Sequence, residues 1–467
     1  MIDLNKQLNK DLELQKIIKA IGNQKFYIVG GYIRDALRGK ISNDIDVIFE
    51  DTDARQAAEK LSDELNGHFV VLDEENGIYR VVLDNKITCV DIVNPVENDI
   101  KKDIQRRDFT INAICYDVQN KEILDLTGGI EDLKKNIIRP IDEKNFFDDP
   151  LRVLRAFRFL SSTGGEFSTE LPQMLKKYVP MLANCATERV NCELTKLFEG
   201  KNAHTALAKL DEIGLLETFF PVIKDIKKIP PNSHHHLPLF EHSLETVRQA
   251  ENVIETLNEK ALEHILQTDI GQSSRKAYLK LACFLHDIGK PSTWTIEPDT
   301  NRHRFIKHDE AGAEMVHDVL KPLKYSNKQI TYVKDLIRNH IYPAALAGSD
   351  DALPKANLRF FRKLNDNVID VIILAQADRL SARGADITEK MIEDNINSLN
   401  ALLQLYIETK DEIKPLPKLL SGNEIMELFH IPQLPKLGEV IKALHEEQLN
   451  GNIKDKEEAI DFVKKLF

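Results

Sequence analysis

Cysteine is scarce in this 467-residue chain, with five in all, at positions 89, 115, 185, 192 and 283. They form no CxxC pair and leave an odd one over, so no disulfide and no zinc–thiolate site is expected, and buried thiols in a reducing compartment fit the pattern. Long apolar runs are missing as well. Nothing approaches the roughly 18 apolar residues of a spanning helix, and the opening MIDLNKQLNKDLELQKIIKA has no apolar core of signal-peptide length. The expectation is a cytoplasmic protein, neither secreted nor membrane-embedded. Basic charge is in deficit: 63 Lys+Arg against 75 Asp+Glu give a net charge of −12 and a pI near 5.7. That argues against broad, sequence-blind nucleic-acid binding, which needs clustered Lys and Arg, and leaves room for a local basic surface.

What is present is ordinary globular material, 42% hydrophobic and 30% charged, which excludes gross disorder. At roughly 150 residues per domain the length favours about three domains. From residue 26 to about 93, FYIVGG, DIDVIFE, FVVLDE, IYRVVLD and KITCVDIV read as strands separated by polar turns. From about 130 onward helical spacing dominates, as in PLRVLRAFRFL, ERVNCELTKLF and AYLKLACFLHDIGK. Proline-bearing breaks fall at PPNSHHHLPL (230–239) and EIKPLPKLL (412–420). No internal repeat or low-complexity tract is evident.

Two chemical constellations stand out. In the first, the apolar run IVGGYIRD ends on Gly30 and Gly31, where the missing Cβ atoms would let backbone N–H groups approach an anion, although an ordinary turn reads the same way. Ten residues on, Asp44 and Asp46 are two apart in a strand and share a face, with Ile45, Val47 and Phe49 toward the core. Paired hard oxygen ligands suit Mg²⁺. Asp91, in ITCVDIV, either adds a third carboxylate or is a polar strand end. A phosphate-cradling turn followed by a metal-binding DxD is the equipment of nucleotidyl transfer.

Three further segments, QRRDFTINAICYD (105–117), DDPLRVLRAFRF (148–159) and ERVNCEL (188–194), follow in order. Together with GGYIRD and DID they resemble the successive motifs of the class II CCA tRNA nucleotidyltransferase and bacterial poly(A) polymerase family, strongly over about 20–220. The segment 422–459 is similar to the tail of the CCA-adding branch. The resemblance implies an α+β fold: a polymerase-β-like head with a mixed sheet (1–135), a helical neck (136–229), a helical body (230–400) and a helical tail (401–467). It implies transfer of CMP and AMP from CTP and ATP to the tRNA 3′ end, with Asp44 and Asp46 holding Mg²⁺ and Asp91 beside them. Gly30, Gly31, Arg34, Arg107, Asp108 and Asn112 would handle the nucleotide, Asp108 accepting from the ribose 2′-OH. Read without the family, RRDF is a charged loop that could pair internally.

By the same resemblance Asp149 and Arg152 would form the template that chooses the base. Chemistry supports this independently, because a carboxylate accepts from the exocyclic amine of C or A while a guanidinium donates to the neighbouring ring nitrogen, and G and U mismatch both. Asp149 before Pro150 is also a ready helix N-cap. The family usually has Glu-Asp where this chain has Asp148-Asp149. Arg189 and Glu193, at i,i+4 spacing, are expected to support the template helix.

In the second constellation, His242, His286-Asp287, His308, His340 and Asp378 resemble the ligand order of HD-domain metal phosphohydrolases. Imidazole with carboxylate suits several divalent metals, and sequence does not choose among them. The resemblance implies a possible phosphatase or 2′,3′-cyclic phosphodiesterase activity, or a metal-bearing scaffold for tRNA. The triplet His234, His235 and His236 matches no motif. Rival readings are poly(A) polymerase, a CC-only or A-only enzyme, and an HD phosphohydrolase with an ancillary head.

Overall fold

The alternating segments between residues 26 and 93 fold as β1 (Phe26–Val29), β2 (Asp44–Phe49), β3 (His68–Asp73), β4 (Ile78–Val82) and β5 (Cys89–Val93). They are seen in a computed structural model that describes residues 3–347, 354–413, 416–430 and 435–466. Two short strands that the sequence pattern does not announce, β6 (Cys115–Asp117) and β7 (Glu122–Leu124), complete a mixed sheet in the order β3-β4-β5-β2-β1-β6-β7. β2 and β5 are parallel, and every other neighbouring pair is antiparallel. Ile45, Val47 and Phe49 are buried as expected. Ile48, on the other face, joins an apolar layer of Tyr27, Val29, Ile100, Ile104, Ala113 and Cys115. The far end of β2 is thus enclosed from both sides, which leaves its first residues, Asp44 and Asp46, as the polar end of a rigid strand.

Residues 1–215 and 216–467 form two compact units. In the first, α1 (Gly31–Leu37) follows β1 directly, and α2 (Arg152–Thr163) packs on α3 (Thr187–Glu199). α2 buries Val153, Leu154, Ala156, Phe157, Phe159 and Leu160 and stops at Gly164, which is left-handed at φ +68°. Asp149 is not the residue at its N-cap: the helix begins at Arg152 behind Leu151. Asp149 Oδ1 instead accepts from the Leu151 N–H at 3.2 Å, so its capping bond lies in the turn ahead of the helix.

The second unit is helical, with α4 (Leu239–Glu255), α5 (Arg275–Leu285), α6 (His308–Leu320), α7 (Asn327–Asn339) and α8 (Val368–Ser381), plus a hairpin pairing Trp294–Ile296 with His303–Phe305. The stretch before α4 carries no helix or strand from 230 to 238. Helices 422–429, 435–449 and 456–464 gather around Leu420, Ile425, Leu437, Val440, Leu444 and Val463. Residues 431–434 of the CCA-like tail, and 414–415 of the break before it, lie outside the described residues. All five cysteines are free thiols. No described helix is long and apolar enough to cross a membrane.

Candidate functional site

Gly30 closes β1 at φ +73°, and a Cβ there would stand 2.9 Å from Asp46 Oδ2 and 3.2 Å from Arg107 Nη1. Backbone conformation and the nearby carboxylate therefore both require glycine. Gly31 is under neither constraint, since its Cβ would meet the Arg34 guanidinium at an ordinary 3.6 Å. Asp44 is exposed and Asp46 half-buried on the same face of β2, with Asp91 opposite Asp46 on the parallel strand β5. Burial raises the Asp46 carboxyl above its ordinary value; Arg107 opposes this, and Asp91 and Asp44 reinforce it. Arg107 does not fully offset the burial and the two neighbouring carboxylates, and a divalent cation on Asp44 and Asp46 would supply the rest. Asp91 is different. Arg80 Nε and Nη2 donate to its two oxygens at 2.6 and 2.8 Å, so its charge is already matched within the sheet.

Arg107 Nε donates to Asp103 at 3.1 Å, which holds the guanidinium beside Gly30. Asp108 is buried, and its oxygens are heavily engaged. Oδ1 accepts from the Phe109 N–H at 2.8 Å and Asn112 Nδ2 at 3.1 Å, and Oδ2 meets Arg155 Nε at 2.7 Å and Nη2 at 2.6 Å. Burial alone would raise this carboxyl, yet Arg155 and Asn112 pull it down to about 2. Asn112 Oδ1 accepts from Arg34 at 2.7 Å, extending the chain of bonds to α1. Asp149 Oδ2 accepts from Arg189 at 2.9 Å, and Arg152 Nη1 donates to the Asn145 carbonyl at 3.0 Å.

Sequence reasoning missed Arg155 and Arg158. Their signal is the spacing of Arg152, Arg155 and Arg158, three apart along the half-buried polar stripe of α2. The guanidiniums of Arg34, Arg155 and Arg158 lie 5.4, 5.6 and 4.4 Å from the Phe159 ring. Arg189 and Glu193 do not pair with each other: Arg189 binds Asp149 in the turn ahead of α2, and Glu193 binds Arg158 on α2 at 3.1 Å with Arg155 at 3.8 Å.

In the helical unit the Nε2 atoms of His242 and His286 stand 3.3 Å apart, as do those of His308 and His340. Nδ1 of His286, His308 and His340 lies 2.8, 2.8 and 2.6 Å from the carbonyls of Cys283, Phe305 and Ile337. Each Nδ1–H donates to its carbonyl, which leaves Nε2 as the lone-pair nitrogen. Lone pairs facing one another repel, and a cation removes the repulsion. Asp287 links the two pairs, Oδ2 at 3.1 Å from His286 and Oδ1 at 3.3 Å from His308, while Asp378 Oδ1 is 3.1 Å from His242. The oxygens of Asp287 and Oδ1 of Asp378 are buried with no well-directed hydrogen bond among the described residues.

Burial works against charge on His286, yet Asp287 and Asp378 push it up to about 10, so these carboxylates draw a cation to Nε2, a proton where no metal is bound. His340 falls to about 4 through burial and the neighbouring His286 and His308. Both carboxylates sit well below their ordinary range despite burial, through His286 and Lys290 at Asp287 and through His242 and His286 at Asp378. The six residues named from sequence thus converge, and the donor set fits a divalent metal. Two others join them. Lys290, three residues after Asp287, has Nζ 2.6 Å from its Oδ2, and the His235 ring meets the His242 ring edge-on at 4.5 Å.

Family models place known modules on this architecture: the poly A polymerase head domain matches residues 26–139, the probable RNA and SrmB-binding site of polymerase A residues 166–227, and the HD domain residues 239–383. With the carboxylate pair beside the glycine turn, they define the class: a nucleotidyltransferase that also carries an HD domain. The CC-adding tRNA nucleotidyltransferase of Thermus thermophilus is 31% identical over 443 residues, covering 93% of this chain and 92% of that protein. The A-adding tRNA nucleotidyltransferase of Deinococcus radiodurans is 31% identical over 443 residues, covering 94% of each. This chain belongs to the tRNA nucleotidyltransferase family. Its fold is shared with the Thermotoga maritima CCA-adding enzyme solved in complex with tRNA, at a TM-score of 0.53 and 22% identity, over 100% of this chain and 99% of that one.

Proposed function

We propose that the chain adds CMP and AMP, from CTP and ATP, to the 3′ end of tRNA with release of pyrophosphate, completing CCA in the cytoplasm. The observation that carries the reading is that Asp46 occupies the space a Cβ on Gly30 would need, so a carboxylate raised by burial lies against a turn that must be glycine. Asp44 and Asp46 would hold Mg²⁺, which when bound activates the attacking hydroxyl and stabilises the leaving pyrophosphate. The Gly30 turn and Arg107 face the triphosphate. Asp91, held by Arg80, lies opposite Asp46 on the neighbouring strand and adds to the upward shift of the Asp46 carboxyl. Asp108, with four donors already on it, takes a ribose 2′-OH by exchanging one of them, and Asn112, at 3.1 Å, is the longest of the four. Asp149 and Arg152 read the base edge, with Arg155, Arg158 and Arg189 fixing their frame, and Arg34, bonded to Asn112, handles the nucleotide. The working division of roles is head 1–135, neck 136–229, HD body 230–400 and tail 401–467.

The test supplies tRNA ending before CCA with CTP and ATP, separately and together, and sequences the products. Addition of both nucleotides in the order C, C, A supports the proposal. Relatives that match over most of the chain include CC-adding and A-adding enzymes, which favours a divided activity as the second reading. Products stopping at CC, or addition only to tRNA already ending in CC, would establish it. Runs of A would indicate poly(A) synthesis.

For the HD body, His242, His286, Asp287, His308, His340 and Asp378 would hold a divalent metal and support hydrolysis of phosphomonoesters or 2′,3′-cyclic phosphates. The observation favouring this second activity is the convergence of four imidazole Nε2 atoms on two carboxylates.

A further inference from the structure

The loop carrying the histidine triplet is fixed in place, and it turns one of the three inward. Asn232 Oδ1 accepts from the N–H groups of His234 and His235 at 2.9 and 3.1 Å, and the Asn232 N–H donates to the His235 carbonyl at 2.9 Å. The N–H groups of Gly384 and Asp386 donate to the carbonyls of His234 and Ser233, both at 2.9 Å. A Cβ on Gly384 would lie 2.1 Å from the Ser233 oxygen, so the close docking depends on glycine there. Held this way, His235 places Nε2 3.3 Å from Lys290 Nζ and its ring 4.5 Å from that of His242. Its Nδ1 is buried without a hydrogen-bond partner among the described residues.

Arg379 shows the same deficiency: its Nε is buried and unpartnered among the described residues, although Nη2 donates to the Ala382 carbonyl at 3.2 Å. His235 and Arg379 line one cavity of about 180 Å³ together with His340 and Asp378, two members of the metal-ligand cluster. Ala344 and Ile387 contribute apolar wall. Buried nitrogens without partners are unfavourable unless an acceptor arrives. An acceptor that also sits beside a divalent metal is an anion with several oxygens. The volume is below the roughly 300 Å³ at which sites for whole drug-sized ligands begin, so the cavity suits a phosphoryl group and the edge of its sugar.

We propose that His235 and Arg379 are the phosphoryl-holding residues of the HD site, positioned to hydrogen-bond the terminal phosphate of a phosphomonoester or 2′,3′-cyclic phosphate while the six cluster residues hold the metal. The proposal rests on the HD phosphohydrolase reading, and neither residue belongs to the HD ligand pattern.

The test measures binding of inorganic phosphate by calorimetry to the full, Mn²⁺-loaded chain in an Asp46→Ala, Arg107→Gln background, which removes the head's metal ligand and the guanidinium that would face its phosphates. Metal content is assayed in parallel. Wild-type His235 and Arg379 should bind phosphate, and His235→Ala and Arg379→Gln should each weaken it about ten-fold with metal content unchanged. His235→Gln, which keeps an N–H donor, should recover part of the affinity. Competition with 2′,3′-cyclic CMP and with an oligoribonucleotide ending in a cyclic phosphate tells a mononucleotide from a chain end. Displacement by either supports the proposal, and displacement by neither overturns it. It is also overturned if phosphate does not bind, if both variants bind as wild type, or if His235→Ala loses metal. Phosphate bound through these residues by a protein that hydrolyses nothing leaves the proposal standing and removes the hydrolase reading. Hydrolysis with KM unchanged in both variants does the reverse.

Discussion

Asp46 is half-buried, lies near two other carboxylates and fills the space that a side chain on Gly30 would need. Asp44→Ala or Asp46→Ala should abolish nucleotide addition while the circular dichroism spectrum stays that of wild type, because neither side chain packs in the core. Near-normal Mg²⁺-dependent addition by either variant would contradict the assignment. Asp108 makes a different prediction. Its folded value, about 2 against an ordinary 3.8, means that its stabilising contribution is complete above about pH 4 and is lost as pH falls toward 2. The gap in unfolding temperature between wild type and Asp108→Asn should be widest near neutral pH and close through that window. A gap constant down to pH 2 would show that Arg155 is not its source. At this scale the sequence was informative where chemistry is written in local spacing: Asp44 and Asp46 two apart, Gly30 ahead of them, His286 next to Asp287. It was silent on Arg80, whose pairing with Asp91 depends on strand register.

Within elements, α2 is the clearest case of a pattern half legible. Its apolar face and its length follow from PLRVLRAFRFL, and Arg152 is recognisable from the motif, but what Arg155 and Arg158 meet depends on loops and helices brought in from elsewhere. The same holds for α3. Four-residue spacing suggests that Arg189 pairs with Glu193, yet Arg189 finds Asp149 in the turn before α2 and Glu193 finds Arg158 across the helix interface. β6 and β7 escaped notice because three residues are too few for alternation to show. Arg152→Ala should blur discrimination of CTP and ATP from UTP and GTP more than it weakens triphosphate binding, as read by misincorporation against KM. Unchanged selectivity with a large rise in KM would place Arg152 on the phosphates.

For the whole chain, each compact unit carries its own charged cluster, and the two fall in separately matched modules. Asp287→Ala should therefore strip the bound metal and any hydrolysis of 2′,3′-cyclic phosphates, while nucleotide addition stays within about three-fold of wild type, as expected of non-interacting sites. Loss of both activities would mean that the sites are coupled. A wild-type protein inactive toward these esters with Mg²⁺, Mn²⁺, Ni²⁺ and Co²⁺ would make the HD body a scaffold. The carbonyl bonds that orient His286, His308 and His340 also bear on how the metal arrives. Each ring is tied to the backbone three residues earlier, at a helix boundary, so its aim is set by folding. Chelation should leave helix content unchanged, and reloading after dilution of the chelator should follow a single exponential whose rate rises in proportion to free metal. A rate that levels off at high metal concentration would reveal a slow rearrangement before capture, and with it rings that are free to turn until the cation comes.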